Sequence, residues 1–251
     1  MADSFLLRTE GLTKEFKGFV AVNDVNLCVR EGTIHTLIGP NGAGKTTCFN
    51  LVSKFLTPTA GSIFYKGRDI TGMRPAEIAR SGIVRSFQIS AVFPHLTVLE
   101  NVRVSLQRKH GESFDFWRTG KVLKKFNERA LELLDAVGLA QDRMALAAEL
   151  PYGRKRALEL ATTLALDPEM MLLDEPTAGM ASADVERMIA LIRKAAEKRT
   201  VLMVEHNLGV VAALSDLVTV LAAGSVIAEG DYASIARDER VVAAYLGSSQ
   251  N

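Results

Sequence analysis

The run Gly39-Pro40-Asn41-Gly42-Ala43-Gly44-Lys45-Thr46-Thr47 is nearly free of side chains until it ends in a lysine and two hydroxyls. Glycines leave consecutive backbone N–H groups free to close on an anion, Lys45 reaches outer phosphates, and Thr46 offers an oxygen to Mg2+. The pattern predicts a P-loop for a nucleoside triphosphate. A second concentration of chemistry is Asp174-Glu175, which follows the apolar run Met170-Met171-Leu172-Leu173. Two carboxylates at the end of a buried strand can divide two tasks. Asp174 is suited to hold Mg2+ through a water, and Glu175 to accept a proton from an attacking water. The third candidate is His206, which ends Val201-Leu202-Met203-Val204-Glu205-His206 in the same register and is placed to hydrogen-bond a terminal phosphate. His35, His95 and His110 have no comparable context.

These residues need a scaffold that delivers them to one edge. Thr33 to Ile38 reads as a buried strand and Lys45 to Leu56 as a helix whose N-terminus faces the phosphates. Phe5 to Arg30 alternates apolar and polar positions about Lys17-Gly18, as a hairpin does, and Ser62 to Tyr65 reads as another strand. The apolar runs Met170–Leu173, Thr200–Val204 and Leu217–Leu221 suit parallel strands covered on both faces, with a helix between the first two built on Val185, Met188, Ile189, Ile192 and Ala196. Ser182 is placed to cap that helix. Between about 91 and 166 the strand signal gives way to helical spacing, as at Leu123, Phe126, Ala130, Leu133, Leu134 and Val137. The expected fold is therefore α/β: a mainly parallel core with an N-terminal antiparallel β subdomain and an inserted helical subdomain. The aromatic stretch from His110 to Trp117 is expected to pack on that insertion or on a partner.

Bulk composition narrows the classes. With 251 residues and 48% hydrophobic content the chain can bury a large core, so disorder is not the default. Thirty basic and 29 acidic residues leave a net charge of +1 and no global attraction to nucleic acid. Cys28 and Cys48 are the two cysteines, which argues against a disulfide framework. Both are expected to be packing residues, although Cys48, just inside the helix after the glycine loop, sits where a thiol pKa can be lowered. No secretory signal is visible at residues 1–8, and the apolar runs stop well short of the roughly 20 residues of a spanning helix. A soluble, cytoplasmic chain is expected.

Taken together these motifs resemble the ATP-binding subunit of ABC transporters over essentially the full length, 1–251 as a single such domain with the signature motif in the helical insertion. Walker A is Gly39 to Thr47, Walker B is Met170 to Asp174 with Glu175 following, and His206 matches the switch histidine. Gln88, in Arg85-Ser86-Phe87-Gln88, matches the Q-loop glutamine that touches Mg2+ and the attacking water. Phe16 falls where the family stacks an aromatic ring on adenine. The signature departs from the usual Leu-Ser-Gly-Gly-Gln, reading Leu150-Pro151-Tyr152-Gly153-Arg154. Pro151 has neither hydroxyl nor backbone donor, so contact with the opposite subunit's terminal phosphate falls to Gly153, to neighbouring N–H groups and to the helix terminus, with Arg154 adding charge. Ala181 stands where the family has an acid or amide.

Leu-Pro-Tyr-Gly, Glu-Pro-Thr-Ala-Gly-Met, Glu-His-Asn-Leu and the ending Val241 to Gly247 look like the LivG-type subunit of branched-chain or hydrophobic amino acid importers. The resemblance implies an ATPase using ATP and Mg2+ at the cytoplasmic face of the membrane. It also implies two transmembrane permease subunits, a second ATP-binding subunit and an extracytoplasmic solute-binding protein. The segment from Gln88 to Val98 would face the permeases. Pro151 and Ala181 keep open a nucleotide-dependent clamp with little hydrolysis, or an importer of another small solute. A DNA-acting relative is disfavoured because no long coiled-coil insertion and no basic excess are present.

Overall fold

A computed structural model describes residues 5–86, 92–109 and 126–247. The chain divides into two compact units. One comprises Met1–Ile83, Glu169–Glu175 and Ala196–Asn251, the other Val84–Pro168 and Pro176–Ala195.

The first unit holds two sheets. In the antiparallel one, β1 (Phe5–Phe16) pairs with β2 (Phe19–Val25), β3 (Cys28–Arg30) and β5 (Ala60–Tyr65), and β6 (Arg68–Asp69) lies beyond β5. Inward residues Leu7, Leu12, Val22 and Ile63 are buried against Phe49, Leu51 and Val52 of the first helix, α1 (Lys45–Val52). α1 is shorter than its apolar pattern predicts. Ser53 turns its hydroxyl back onto the Phe49 carbonyl at 2.8 Å, and Lys54 adopts a left-handed φ of 62°, which ends the helix.

The second sheet runs in the order β11-β10-β4-β9-β8-β7. β4 (Ile34–Ile38), β8 (Met170–Asp174), β9 (Thr200–Val204) and β10 (Leu217–Ala222) are parallel neighbours, with Leu37 opposite Val204 and Val204 opposite Asp174. The apolar residues of β4, β8 and β9 are buried throughout, and those of β10 at all but its two ends, as strands covered on both faces require. β7 (Ile83–Ser86) begins in this unit at Ile83. β11 (Ser225–Gly230), absent from the sequence reading, folds back antiparallel on β10 through Ala223-Gly224, both left-handed at φ 46° and 81°. That two-residue turn is the hairpin signal in this stretch.

In the second unit lie α3 (Val98–Lys109), α4 (Asn127–Ala136), α5 (Tyr152–Ala165) and most of α6 (Ser182–Ala196); α2 is Pro75–Arg80 of the first unit. Val98, Val102 and Leu106, four residues apart, form one buried stripe, and Ala130, Leu133 and Leu134 another. Thr97 and Glu100 form a reciprocal capping box, the Glu100 carboxylate accepting the Thr97 N–H at 2.8 Å and the Thr97 hydroxyl accepting the Glu100 N–H at 3.2 Å. Phe126 and Val137 are buried at either end of α4. Leu123 and the His110 to Trp117 stretch lie outside the described residues.

Candidate functional site

The glycine loop leaves β4 at Ile38 and enters α1 at Lys45. It is wedged between two backbones. A Cβ on Gly44, whose φ is 95°, would lie 2.4 Å from the Ala21 carbonyl of β2. On the other side, the Gly224 N–H donates to the Ala43 carbonyl at 3.1 Å, while the Gly224 carbonyl accepts the Asn23 N–H at 2.8 Å. The phenol of Tyr245, on the C-terminal helix Glu239–Gly247, meets the backbone of Gly39. Pro40 is half-buried, Asn41 and Gly42 face solvent, Thr46 is exposed at the first turn of α1, and Thr47 is half-buried.

Lys45 is 9% exposed, and its ammonium donates to the carbonyls of Gly39 at 2.7 Å and Pro40 at 2.9 Å. Burial lowers its pKa, and the charge of Glu175 pulls the other way. The lysine thus curls over its own loop, its ammonium held by the Gly39 and Pro40 carbonyls and within the field of Glu175. One turn further, Cys48 is the packing residue the sequence suggested. It is fully buried and its thiol is pushed up to about 12 by desolvation, so it is an inert packing residue. The favourable helix terminus is outweighed because no water or cation reaches the sulfur to stabilise a thiolate.

Asp174 is the last residue of β8. Glu175 turns sharply out of the strand at φ 46°, held by its N–H on the Val204 carbonyl at 2.9 Å. A left-handed non-glycine residue costs roughly 1–2 kcal/mol, and here it accompanies a carboxylate that is partly exposed beside His206. Glu175 Oε1 stands 3.7 Å from His206 Nδ1. β9 lies between β4 and β8. At about 4.8 Å per strand, the roots of the glycine loop and of Asp174 are therefore about 10 Å apart, with His206 following the strand between them. Lys45, Asp174, Glu175 and His206 all emerge at the carboxyl ends of adjacent parallel strands, where open α/β sheets form ligand crevices.

His206 is itself fixed by a residue that the sequence reading missed. Glu205 is completely buried and accepts the backbone N–H groups of His206 at 2.9 Å and Asn207 at 3.0 Å. Asn207 then caps the helix Leu208–Leu214 through the Gly209 and Val210 N–H groups. The available signal was an acid closing an otherwise apolar strand, which must be satisfied locally to be buried. Phe16 is 41% exposed at the end of β1, with the Lys14 ammonium 5.1 Å from its ring centre. Gln88 lies outside the described residues.

The signature stretch opens α5 in the second unit. Pro151 is the N-cap, without a side-chain cap, and the first intrahelical bond runs from the Lys155 N–H to the Pro151 carbonyl. The N–H groups of Tyr152, Gly153 and Arg154 thus have no acceptor within the helix, leaving a site of positive polarity. Gly153 is a glycine for a reason the motif conceals: a Cβ there would lie 2.6 Å from the Asp184 carboxyl carbon. Arg154, read either as charge for the phosphate or as part of a solvated basic face, is engaged by Asp142 in an ion pair.

A glycine cradle, a semi-buried lysine, a carboxylate pair and an imidazole on adjacent parallel strand ends define a P-loop nucleotide hydrolase, and the helical unit with its signature stretch defines the ABC class. The ABC transporter family matches residues 22–178, and a second family, the branched-chain amino acid ATP-binding cassette transporter, matches residues 225–250. The chain belongs to the ABC transporter family as one of its ATP-hydrolysing cassettes. It is 37% identical to the high-affinity branched-chain amino acid transport ATP-binding protein LivG of Salmonella typhimurium, over 97% of this chain and 98% of that one. It is 36% identical to BraF of Pseudomonas aeruginosa, named for the same transport role, with the same coverage. Among solved structures, the ADP conformation of an ATP-binding cassette of an ABC transporter superposes with a TM-score of 0.84 at 31% identity, covering 97% of this chain and 99% of that one.

Proposed function

We propose that the chain is the ATPase subunit of an importer for branched-chain or other hydrophobic amino acids, at the cytoplasmic face of the membrane. Its partners in this reading are two transmembrane permease subunits, a second ATP-binding subunit and an extracytoplasmic solute-binding protein. Among the described residues no helix is long and apolar enough to cross a membrane. The names of the relatives, and the match of the C-terminal segment to the branched-chain family, support the solute class.

The single observation that carries the catalytic reading is the convergence of Glu175, His206 and Lys45 at one sheet edge. In this reading the loop N–H groups from Gly39 to Thr47 and the Lys45 ammonium bind the phosphates, and Phe16 stacks on adenine. Glu175 takes the proton of the attacking water, with His206 and Gln88 about the terminal phosphate. The fit to Mg2+ is good: Asp174 and the exposed Thr46 hydroxyl are hard oxygen donors, and among the described residues no group of three or more His, Cys, Asp or Glu is arranged to hold a metal by itself. Thr46, Gln88 and Asp174, the last through water, would hold the ion, which when bound neutralises phosphate charge. Two cassettes pair head to tail, each ATP closed between one glycine loop and the Gly153 region of the other chain, and hydrolysis releases the pair.

Glu175→Gln tests this reading in the complex with its permeases. ATP binding should persist while turnover falls about 10²- to 10⁴-fold, the usual contribution of a positioned general base. Undiminished turnover would remove Glu175 from its role. Pro151 and Ala181 favour a second reading, a clamp that closes on ATP with little hydrolysis; sustained wild-type turnover excludes it.

A further inference from the structure

The family's motif has a glycine where this chain carries Tyr152, and that side chain is engaged on every polar valence. Its hydroxyl donates to the Ala178 carbonyl at 3.0 Å and accepts from Arg156 Nε at 3.0 Å and Nη2 at 2.8 Å. The Arg156 guanidinium lies 5.2 Å from the ring centre and is anchored in turn on Glu159, 3.0 Å away, both side chains being largely buried. Next to Ala178, Gly179 faces the ring: a Cβ there would stand in ordinary contact at 3.6 Å. A continuous relay therefore runs from Glu159 in the interior of α5 through Arg156 and Tyr152 to the loop of residues 176–181. Two donations from a cation polarise the phenol and strengthen its own bond to Ala178.

Two features make this relay more than local packing. Residues 176–181 follow Glu175 directly in the chain, so the loop leads out of the proposed general base. Ala181 adds no polar side chain to that loop, and Thr177, its one polar side chain, is buried. We propose that Tyr152 is a positioning residue for ATP hydrolysis: it straps the 176–181 loop to the start of the signature helix in the same chain, so that the surface meeting the opposite cassette's ATP and the segment behind Glu175 move as one piece. This rests on the head-to-tail pairing proposed above.

The test is Tyr152→Phe, which keeps the ring and removes only the hydroxyl. In the full complex, kcat for ATP should fall about three- to tenfold, the worth of the one hydrogen bond from the hydroxyl to the neutral Ala178 carbonyl, while KM stays within about twofold because the glycine loop is untouched. Amide hydrogen exchange across 176–181 of the full chain should speed up by about tenfold on the same ground. Faster exchange with an unchanged kcat would reduce the strap to packing and overturn the proposal, as would unchanged exchange. If Tyr152→Phe does not fold, Arg156→Lys, which leaves the phenol but loses the fork that holds it, must show the same split between kcat and KM; a normal kcat there overturns it equally. A wild-type complex with no turnover would sink the ATPase reading and this inference with it. Normal wild-type turnover beside an unaffected variant would sink Tyr152 alone.

Discussion

Gly44→Ala and Gly42→Ala differ by two positions in the same loop, and the structure separates their consequences. Both glycines have left-handed backbones, φ 95° at Gly44 and 76° at Gly42. An alanine at either pays about 1–2 kcal/mol for that conformation. At Gly42 nothing lies within 4 Å of the added methyl, so the conformational strain is the whole effect. At Gly44 the methyl would stand 2.4 Å from the Ala21 carbonyl oxygen, against an ordinary contact of at least 3.4 Å, and Gly224 closes the other side at 3.3 Å. Ala21 belongs to a paired strand and cannot rotate away as a side chain would. Overpacking of this kind adds about 1–3 kcal/mol, bringing the total to about 2–5 kcal/mol, and it is relieved by displacing the loop from its phosphate-binding shape. Titration of each full-length variant with ATP, after thermal melting has confirmed folding, should show Gly42→Ala weakened by about 5- to 30-fold. Gly44→Ala should be weakened by at least about 30-fold and up to beyond 10³-fold, at about 1.4 kcal/mol per decade. Equal affinities for the two variants would refute the claim that β2 shapes the loop.

Lys45→Ala should raise the Kd for ATP by about 10- to 150-fold, the worth of one hydrogen bond to a charged group at about 1.5–3 kcal/mol; normal affinity in a direct titration contradicts the phosphate-binding role. His35, fully buried with Nε2 2.7 Å from the Thr219 hydroxyl, has its pKa driven down to about 4 from 6.5 by burial. The unfolded chain therefore takes up a proton between those values that the native state refuses, so stability is complete above pH 6.5 and is lost as pH falls towards 4. The loss is about 3 kcal/mol. Urea unfolding of wild type and His35→Leu across pH 7 to 4 should show the wild type losing that much more, and parallel profiles would exclude His35 as the cause.

Much of the scaffold was legible because its signals are local. Apolar runs such as Leu202–Val204 and Met170–Leu173 announce covered parallel strands, and Phe126, Ala130, Leu133, Leu134 and Val137 announce a helix face. Errors fell where a short-range effect competed with the pattern. α1 stops at Val52 because Ser53 and Lys54 bend the chain, although the apolar spacing continues to Leu56. β11 went unread because its hairpin turn is Ala-Gly and only Gly224 gives a turn signal. Cys48 left two readings open in the sequence, a packing residue or a thiol tuned by the helix terminus, and complete burial decides for packing.

The sequence by itself determined the chemical inventory and its order along the chain: the glycine loop ending in Lys45 and Thr46, the Asp174-Glu175 pair, His206, and the altered signature at Pro151 and Tyr152. Such motifs are contiguous, so residue type and local backbone preference suffice to read them. Only the tertiary structure decided why Gly44 must be glycine, what holds His206 from below, what Gly153 packs on and what Tyr152 grips. Apart from Glu205 beside His206, those answers lie in residues tens of positions away: Ala21, Asp184 and Ala178 are brought to their partners by the folding of the chain, and no spacing along it announces them. For Glu205 the hidden fact is burial, which depends on strands β4 and β8 closing over either side of β9.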